Sequence, residues 1–288
     1  MQSKVFSTNK TLNVRGKLWD LSTPKVMGIL NVTPDSFYDG GRYLEEKSIL
    51  EQVEKMLGEG ADLIDVGGYS TRPGAREISE DEELKRVIDA IRIILAAFPD
   101  AVLSADTFHA SVARSAVDAG ASMINDISGG ELDEKMFETM AALHVPYILM
   151  HLRGTPQTMT RHTQYDNLVK DVTDYFHPKL DRLHRLGVKD ILIDPGFGFA
   201  KTVEQNFELL NHLDYLQILG KPLLVGLSRK SMIWRTLETD PEGALNGSTA
   251  LHTLALLKGA NMLRVHDVRE AVECIRLVGK LEKNEKTI

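Results

Sequence analysis

Asp106, Asn125, Asp194 and Lys230 each stand at or just past the end of a short apolar run in this 288-residue chain. Two carboxylates and an amide aimed into one cavity suit a flat heterocycle with adjacent N–H donors, because carboxylates only accept whereas Asn accepts and donates. Lys230 adds a donor for a ring oxygen or nitrogen. Arg264 and His266 lie two apart in MLRVHD (262–267), so their side chains face one way. An Arg fork binds phosphate-like oxygens bidentately, so the pair reads as an anion site, to which Arg72 could add a second guanidinium. Asn31 ends the run KVMGILN and leads into TPDSFYDGG. A core strand has no use for a buried Asn. It is expected to point into a cavity under a functional loop, stiffened by Pro34 and able to move at Gly40 and Gly41.

Each group also has a purely structural reading. A lone Asp at a strand end more often caps a helix or anchors a loop. Asp126 and Asp267 fit that reading, since alternation turns them away from Asn125 and His266. His109 and His252 read as structural or exposed, and His151 is evenly balanced. Arg153 and Arg229 read as rim salt bridges of small energetic weight. The joint pattern favours chemistry, because chance would scatter polar residues over both ends of the strands.

The elements that would position these groups are eight short apolar runs, at 25–32, 61–67, 101–107, 122–128, 147–152, 191–196, 222–228 and 262–267. They are largely continuous in apolar character, as parallel strands covered on both faces are. Helical patterns lie between them. Ser79-Glu80-Asp81-Glu82 resembles a capping box, followed by Leu84, Val87, Ile88, Ile91 and Leu95 at helical spacing. Residues 109–119, 133–143, 166–186, 203–218, 241–258 and 267–281 are also expected to be helical. The alternation predicts an α/β fold, a (β/α)8 TIM barrel, with the polar residues at the C-terminal strand ends where barrel active sites lie. A doubly wound open sheet lacks its dinucleotide-binding glycine fingerprint here. Within residues 1–24, Leu12, Val14 and Leu18 alternate with polar neighbours after Thr8-Asn9-Lys10, which predicts a hairpin covering the barrel bottom. Residues 25–282 are expected to form one barrel domain together with that hairpin, and 283–288 a frayed polar tail.

A net charge of −7 gives no global basic footprint for nucleic acid or an anionic membrane. A local cluster of cations can still hold an anionic substrate. The one cysteine, Cys274, excludes an intrachain disulfide and a cysteine zinc site, and its helical context makes it a core residue. With no signal segment and no long apolar run, a soluble cytoplasmic protein is expected.

ILNVTPDSFYDGG, DVGGYSTRPGA, LSADTF, INDISGG, LMHLRGTPQTM, LIDPGFGFAKT, VGLSRKSMI, GSTA and LRVHDV occur in that order. In these segments the sequence resembles the dihydropteroate synthase family, over residues 25–278. The resemblance implies a barrel enzyme, usually dimeric, that joins 6-hydroxymethyl-7,8-dihydropterin diphosphate to 4-aminobenzoate, releases pyrophosphate and uses Mg²⁺. It implies that Asn31 ligates Mg²⁺ and that Thr71 and Arg72 lie near the diphosphate and aminobenzoate. Asp106, Asn125, Asp194 and Lys230 would hold the pterin, with Met150 against its ring. Arg264 and His266 would bind the diphosphate, and Phe199, Lys230 and Ser231 would border the aminobenzoate. Asp35 would sit near the cationic centre or the amine. One departure is Tyr69, where the family commonly has Glu. A methyltetrahydrofolate-binding methyltransferase domain would share the Asp–Asn–Asp set but leave STRPG, SRK and RVH unexplained. A non-catalytic paralogue would be expected to lose part of the loop or anion site, and both are intact here.

Overall fold

The computed structural model describes residues 10–32, 41–69 and 78–285. The eight apolar runs form eight parallel strands: β3 (Lys25–Asn31), β4 (Leu63–Gly67), β5 (Leu103–Asp106), β6 (Met123–Asp126), β7 (Tyr147–Met150), β8 (Ile191–Asp194), β9 (Leu224–Val225) and β10 (Met262–Val265). Their order is β8-β7-β6-β5-β4-β3-β10-β9. An Ile193–Leu223 bridge joins the two ends and closes the barrel. The helices α1 (Gly41–Glu59), α2 (Glu80–Ala97), α3 (Ala110–Asp118), α4 (Met136–Leu143), α5 (Leu168–Arg185), α6 (Val203–Asn211), α7 (Ser231–Thr236), α8 (Leu245–Leu257) and α9 (Val268–Glu285) connect the strands. Ser79 caps α2 by accepting from the Glu82 amide at 3.2 Å. This helix buries Val87, Ile88, Ile91 and Ile94 against the barrel, each contributing about 1.5–3 kcal/mol of apolar burial.

Two helical expectations change. The segment 203–218 does not run through. α6 stops at Asn211, and Leu213–Leu219 form a 3₁₀ turn whose three-residue period brings both Leu213 and Leu216 into the core. α7 is a short extra helix between β9 and α8. Gly41 opens α1 rather than closing a loop, and residues 33–40 lie outside the described residues.

β1 (Thr11–Val14) and β2 (Lys17–Asp20) form the hairpin. Its turn is Arg15-Gly16, both with positive φ, the geometry of a tight two-residue hairpin connection. The turn sets a register that pairs Leu12 with Trp19 and Asn13 with Leu18. Leu18 therefore shares the outer face with Asn13 and is 74% exposed, contrary to its expected place beside Leu12 and Val14. Leu12, Val14 and Leu21 pack instead with Met27, Leu63, Met123, Ile148, Leu192, Leu224 and Met262 inside the barrel base. Asn13 N–H donating to Asp190 and Asn261 Nδ2 donating to the Leu21 carbonyl pin this plug. Among the described residues no helix is long and apolar enough to cross a membrane.

Candidate active site

Strand alternation carries the inward face from that apolar base to a polar mouth. On β4 the order is Leu63 at the base, then Asp65, then Gly67. On β6 it is Met123, then Asn125. On β8 it is Leu192, then Asp194. On β10 it is Met262, then Arg264. Asn31, Gly67, Asp106 and Asn125 are register partners on four successive strands. A Cβ on Gly67 would lie 3.6 Å from Asn31 Oδ1 and 3.7 Å from Asp106 Oδ2, so the glycine keeps the space between those two groups open.

Arg264 is the centre of the polar layer. Its Nε donates to Asp65 Oδ2 and its Nη2 to Asp106 Oδ2, both at 2.6 Å. Asn125 Nδ2 also donates to Asp65 Oδ2, at 2.8 Å. A carboxylate can only accept, so Asp65 fixes the amide's orientation and leaves Asn125 Oδ1 as the acceptor for a ligand. One guanidinium shared by two carboxylates leaves this trio with a net negative charge. Burial pushes the Asp106 carboxyl up to about 7, against the pull of Arg264 and with a further push from Asp65. Burial works to lower Arg264, but Asp65 and Asp106 offset it and hold the group above its ordinary value. Arg264 is thus not the uncommitted cation that its position at a strand end suggested.

Asp194 completes the floor. Burial raises its carboxyl, opposed first by Lys230. Its Oδ1 accepts from Gly196 N–H at 2.7 Å. Lys230 donates to the Phe197 carbonyl and lies 4.5 Å from the Phe199 ring centroid. Burial pushes this ammonium down to about 8, against Asp194. Met150, Ile127, Leu152, Met159 and Ala200 form an apolar cluster with Phe108 and Phe199. Ser231 is the first residue of α7. His266 hydrogen-bonds Ser228 Oγ through its amide and through Nδ1, at 3.1 and 3.2 Å.

Asp35, Thr71 and Arg72 lie outside the described residues. Among the described residues no cluster of three His, Cys, Asp or Glu could hold a metal ion. Asn31 therefore offers a neutral oxygen at the mouth. An amide oxygen is a hard ligand of the kind Mg²⁺ can take beside waters and substrate phosphates.

The residues read as structural take structural places. Asp126 accepts from Ser128 N–H, Gly130 N–H and Tyr147 Oη outside the barrel. Asp267 pairs with Arg229 through two bonds, at 2.6 and 2.9 Å. His109 pairs with Glu83 at 2.8 Å, and His252 is buried with its pKa lowered to about 4 by burial. His151 points away from the barrel axis, edge-on to Tyr175. Arg153 pairs with Asp171 and stacks 3.9 Å from the Tyr165 ring, in a surface cleft also lined by Thr163, Gln164, Asp166 and Gln205. Tyr69 packs edge-on against Phe108 and hydrogen-bonds Gln157 across the mouth.

Two residues escaped the sequence reading. Asp65 sits mid-strand in ADLIDVG, and a fully buried Asp in an apolar run must find a partner inside. That signal was present. Lys201 follows an apolar loop, DPGFGFA, and only the folded loop shows that its ammonium turns inward.

A family profile described as "Pterin binding enzyme" matches residues 27–266. The dihydropteroate synthase of Escherichia coli K12 is 43% identical over 270 residues, 93% of this chain and 95% of that protein. The dihydropteroate synthase of Xanthomonas albilineans, solved with 4-aminobenzoic acid, superposes with a TM-score of 0.88 at 40% identity, covering 96% of this chain and 99% of that one. The same enzyme solved with 7,8-dihydropteroate gives a TM-score of 0.84 at 38% identity, with 94% and 98% covered. The chain belongs to the pterin-binding enzyme family, among its dihydropteroate synthases.

Proposed function

We infer that the chain is a transferase that condenses 6-hydroxymethyl-7,8-dihydropterin diphosphate with 4-aminobenzoate to give 7,8-dihydropteroate and pyrophosphate. The observation that carries this reading is the convergence of Asp106, Asn125, Asp194, Lys230 and Arg264 on one barrel mouth from five strands or strand ends. Asp106, Asn125 Oδ1 and Asp194 accept from the pterin's ring and amino N–H groups, Lys230 donates to the ring, and Met150 packs against its face. Arg264, through the guanidinium N–H groups that Asp65 and Asp106 do not engage, and His266 take the diphosphate, with Thr71 and Arg72 near it and the aminobenzoate. Phe199, Lys230 and Ser231 border the aminobenzoate. Asn31 would hold Mg²⁺ beside the diphosphate, where the ion would neutralise charge on the leaving group.

The bond that breaks joins the pterin's exocyclic methylene to the diphosphate oxygen. The bond that forms joins that methylene to the amine nitrogen. The electron pair of the C–O bond leaves with pyrophosphate, and the new anilinium loses one proton. Positive charge that develops on the methylene spreads into the electron-rich ring. Asp106 and Asp194 stabilise it there, in a site where burial strengthens electrostatics. The amine is neutral near pH 7, so no strong general base is required.

The chain works as a cytoplasmic homodimer in this reading. The exposed Leu254 and Leu257 on α8, with Leu277 and Leu281 on α9, give an apolar outer surface for a second copy. Light scattering that finds only monomer removes that part. The activity itself is tested by incubating the protein with both substrates and Mg²⁺. Dihydropteroate is the expected product, and its absence overturns the reading.

A further inference from the structure

Lys201 is a lysine on a surface-bound loop with its ammonium turned inward, and it is only 9% exposed. Its Nζ lies 2.9 Å from the Gly196 carbonyl, 3.0 Å from the Phe199 carbonyl and 3.0 Å from His151 Nδ1. An ammonium has three N–H bonds, and here it has three acceptors. Burying such a charge is costly unless the bonds are all made. The bonds serve a particular segment. Gly196 stands at φ +70, with room for no side chain, since a Cβ there would lie 2.1 Å from the His151 carbonyl. The loop is thus pressed against the end of β7 in a conformation that needs fastening.

Both ends of this fastened segment hold a group of the pterin floor. Gly196 N–H donates to Asp194 Oδ1, which leaves Oδ2 as the carboxylate oxygen available to a ligand. The Phe197 carbonyl accepts from Lys230 and so sets where that side chain ends. Phe199, whose carbonyl is one of the three acceptors, carries the ring 4.5 Å from Lys230 Nζ.

We propose that Lys201 is a positioning residue for the reaction: by tying Gly196, Phe199 and His151 together it sets the orientation of Asp194 and Lys230 toward the pterin. Lys201 does not touch the substrate. The inference rests on the proposed pterin-binding role of the mouth.

The test is calorimetric titration of 6-hydroxymethyl-7,8-dihydropterin diphosphate, with Mg²⁺, into the wild type, Lys201→Met and Lys201→Arg. Lys201→Met keeps an unbranched chain one atom shorter and removes all three bonds. It is expected to weaken pterin binding about tenfold to a hundredfold, the scale of a small misplacement of contact groups. Amide hydrogen exchange at 196–199 should speed up more than the loss of global stability accounts for. A merely structural lysine would lower the melting midpoint while the folded fraction binds normally. A planar guanidinium cannot offer one nitrogen to three acceptors, so Lys201→Arg should fall between the two, and it carries the test if the Met variant does not fold. Wild-type affinity and unchanged exchange in either folded variant overturn the proposal. A wild type that binds no pterin overturns the assigned function itself, and the proposal with it.

Discussion

Replacing Asp65 should separate support of the site from contact with the ligand. Asp65 is fully buried, and its Oδ2 receives both Arg264 Nε and Asn125 Nδ2. In Asp65→Ala two buried donors lose their acceptor and Arg264 loses one of two counter-charges. Breaking a buried pair in this way costs about 3–5 kcal/mol. Asp65→Asn keeps an acceptor oxygen, and its two bonds fall from charge-assisted to neutral strength. It also removes the like charge that pushes Asp106 up. The net loss for Asn should be about 1–2 kcal/mol. Urea unfolding measures both, with an unchanged slope showing that only stability moved. Pterin titration gives the second readout. The Ala variant should bind weakly, because Asn125 is then free to turn its NH₂ toward a ligand that also donates. An Ala variant within about 1 kcal/mol of wild type would falsify the idea that this network holds Arg264 and Asn125 in place.

Asp194→Ala should lose pterin binding strongly in calorimetry while aminobenzoate analogues still occupy the rim; normal pterin affinity would remove Asp194 from the floor. Asp106 titrates at about 7 in the fold against an ordinary value of 3.8. The folded state therefore keeps a proton that the unfolded chain releases, and this group lowers stability as pH rises between those values. Pterin N–H donors need the ionised form, so pterin affinity should weaken as pH falls below about 7 and binding there should release a proton, seen as a buffer-dependent binding enthalpy. Tyr147→Phe deletes the 2.6 Å bond to Asp126 on the outer face of the strands. It should cost about 1.5–3 kcal/mol in unfolding and leave the pterin KM unchanged; a raised KM would mean that Asp126 faces the ligand after all.

The barrel was legible because its strands are short, apolar on both faces and polar mainly at one end. Alternation alone sorted Asn125, bonded to Asp65 inside the barrel, from Asp126, and likewise turned Asp267 to its partner Arg229. What stayed hidden depended on register and on tertiary burial. Leu18 was misplaced because the Arg15-Gly16 turn, not the apolar pattern, decides which face it takes. The break after Asn211 was invisible because Leu213 and Leu216 satisfy a three-residue period as well as a helical one. Asp65 lies one layer deeper than the strand ends, and its burial depends on the barrel closing around it. Arg264 looked like a free cation because its two counter-charges come from strands far away in sequence. Lys201 follows an apolar loop, and nothing local says whether its ammonium meets water or three buried acceptors.

The hairpin stopper beneath the barrel has a kinetic consequence. Leu12, Val14 and Leu21 turn what could be a tube into a cup. A cup fills from its depth outward. With the heterocycle on the floor and the aryl amine at the lip, as proposed above, an early arrival at the lip blocks the descent. The stopper then predicts compulsory-order addition, the heterocycle first, which initial-rate kinetics would show.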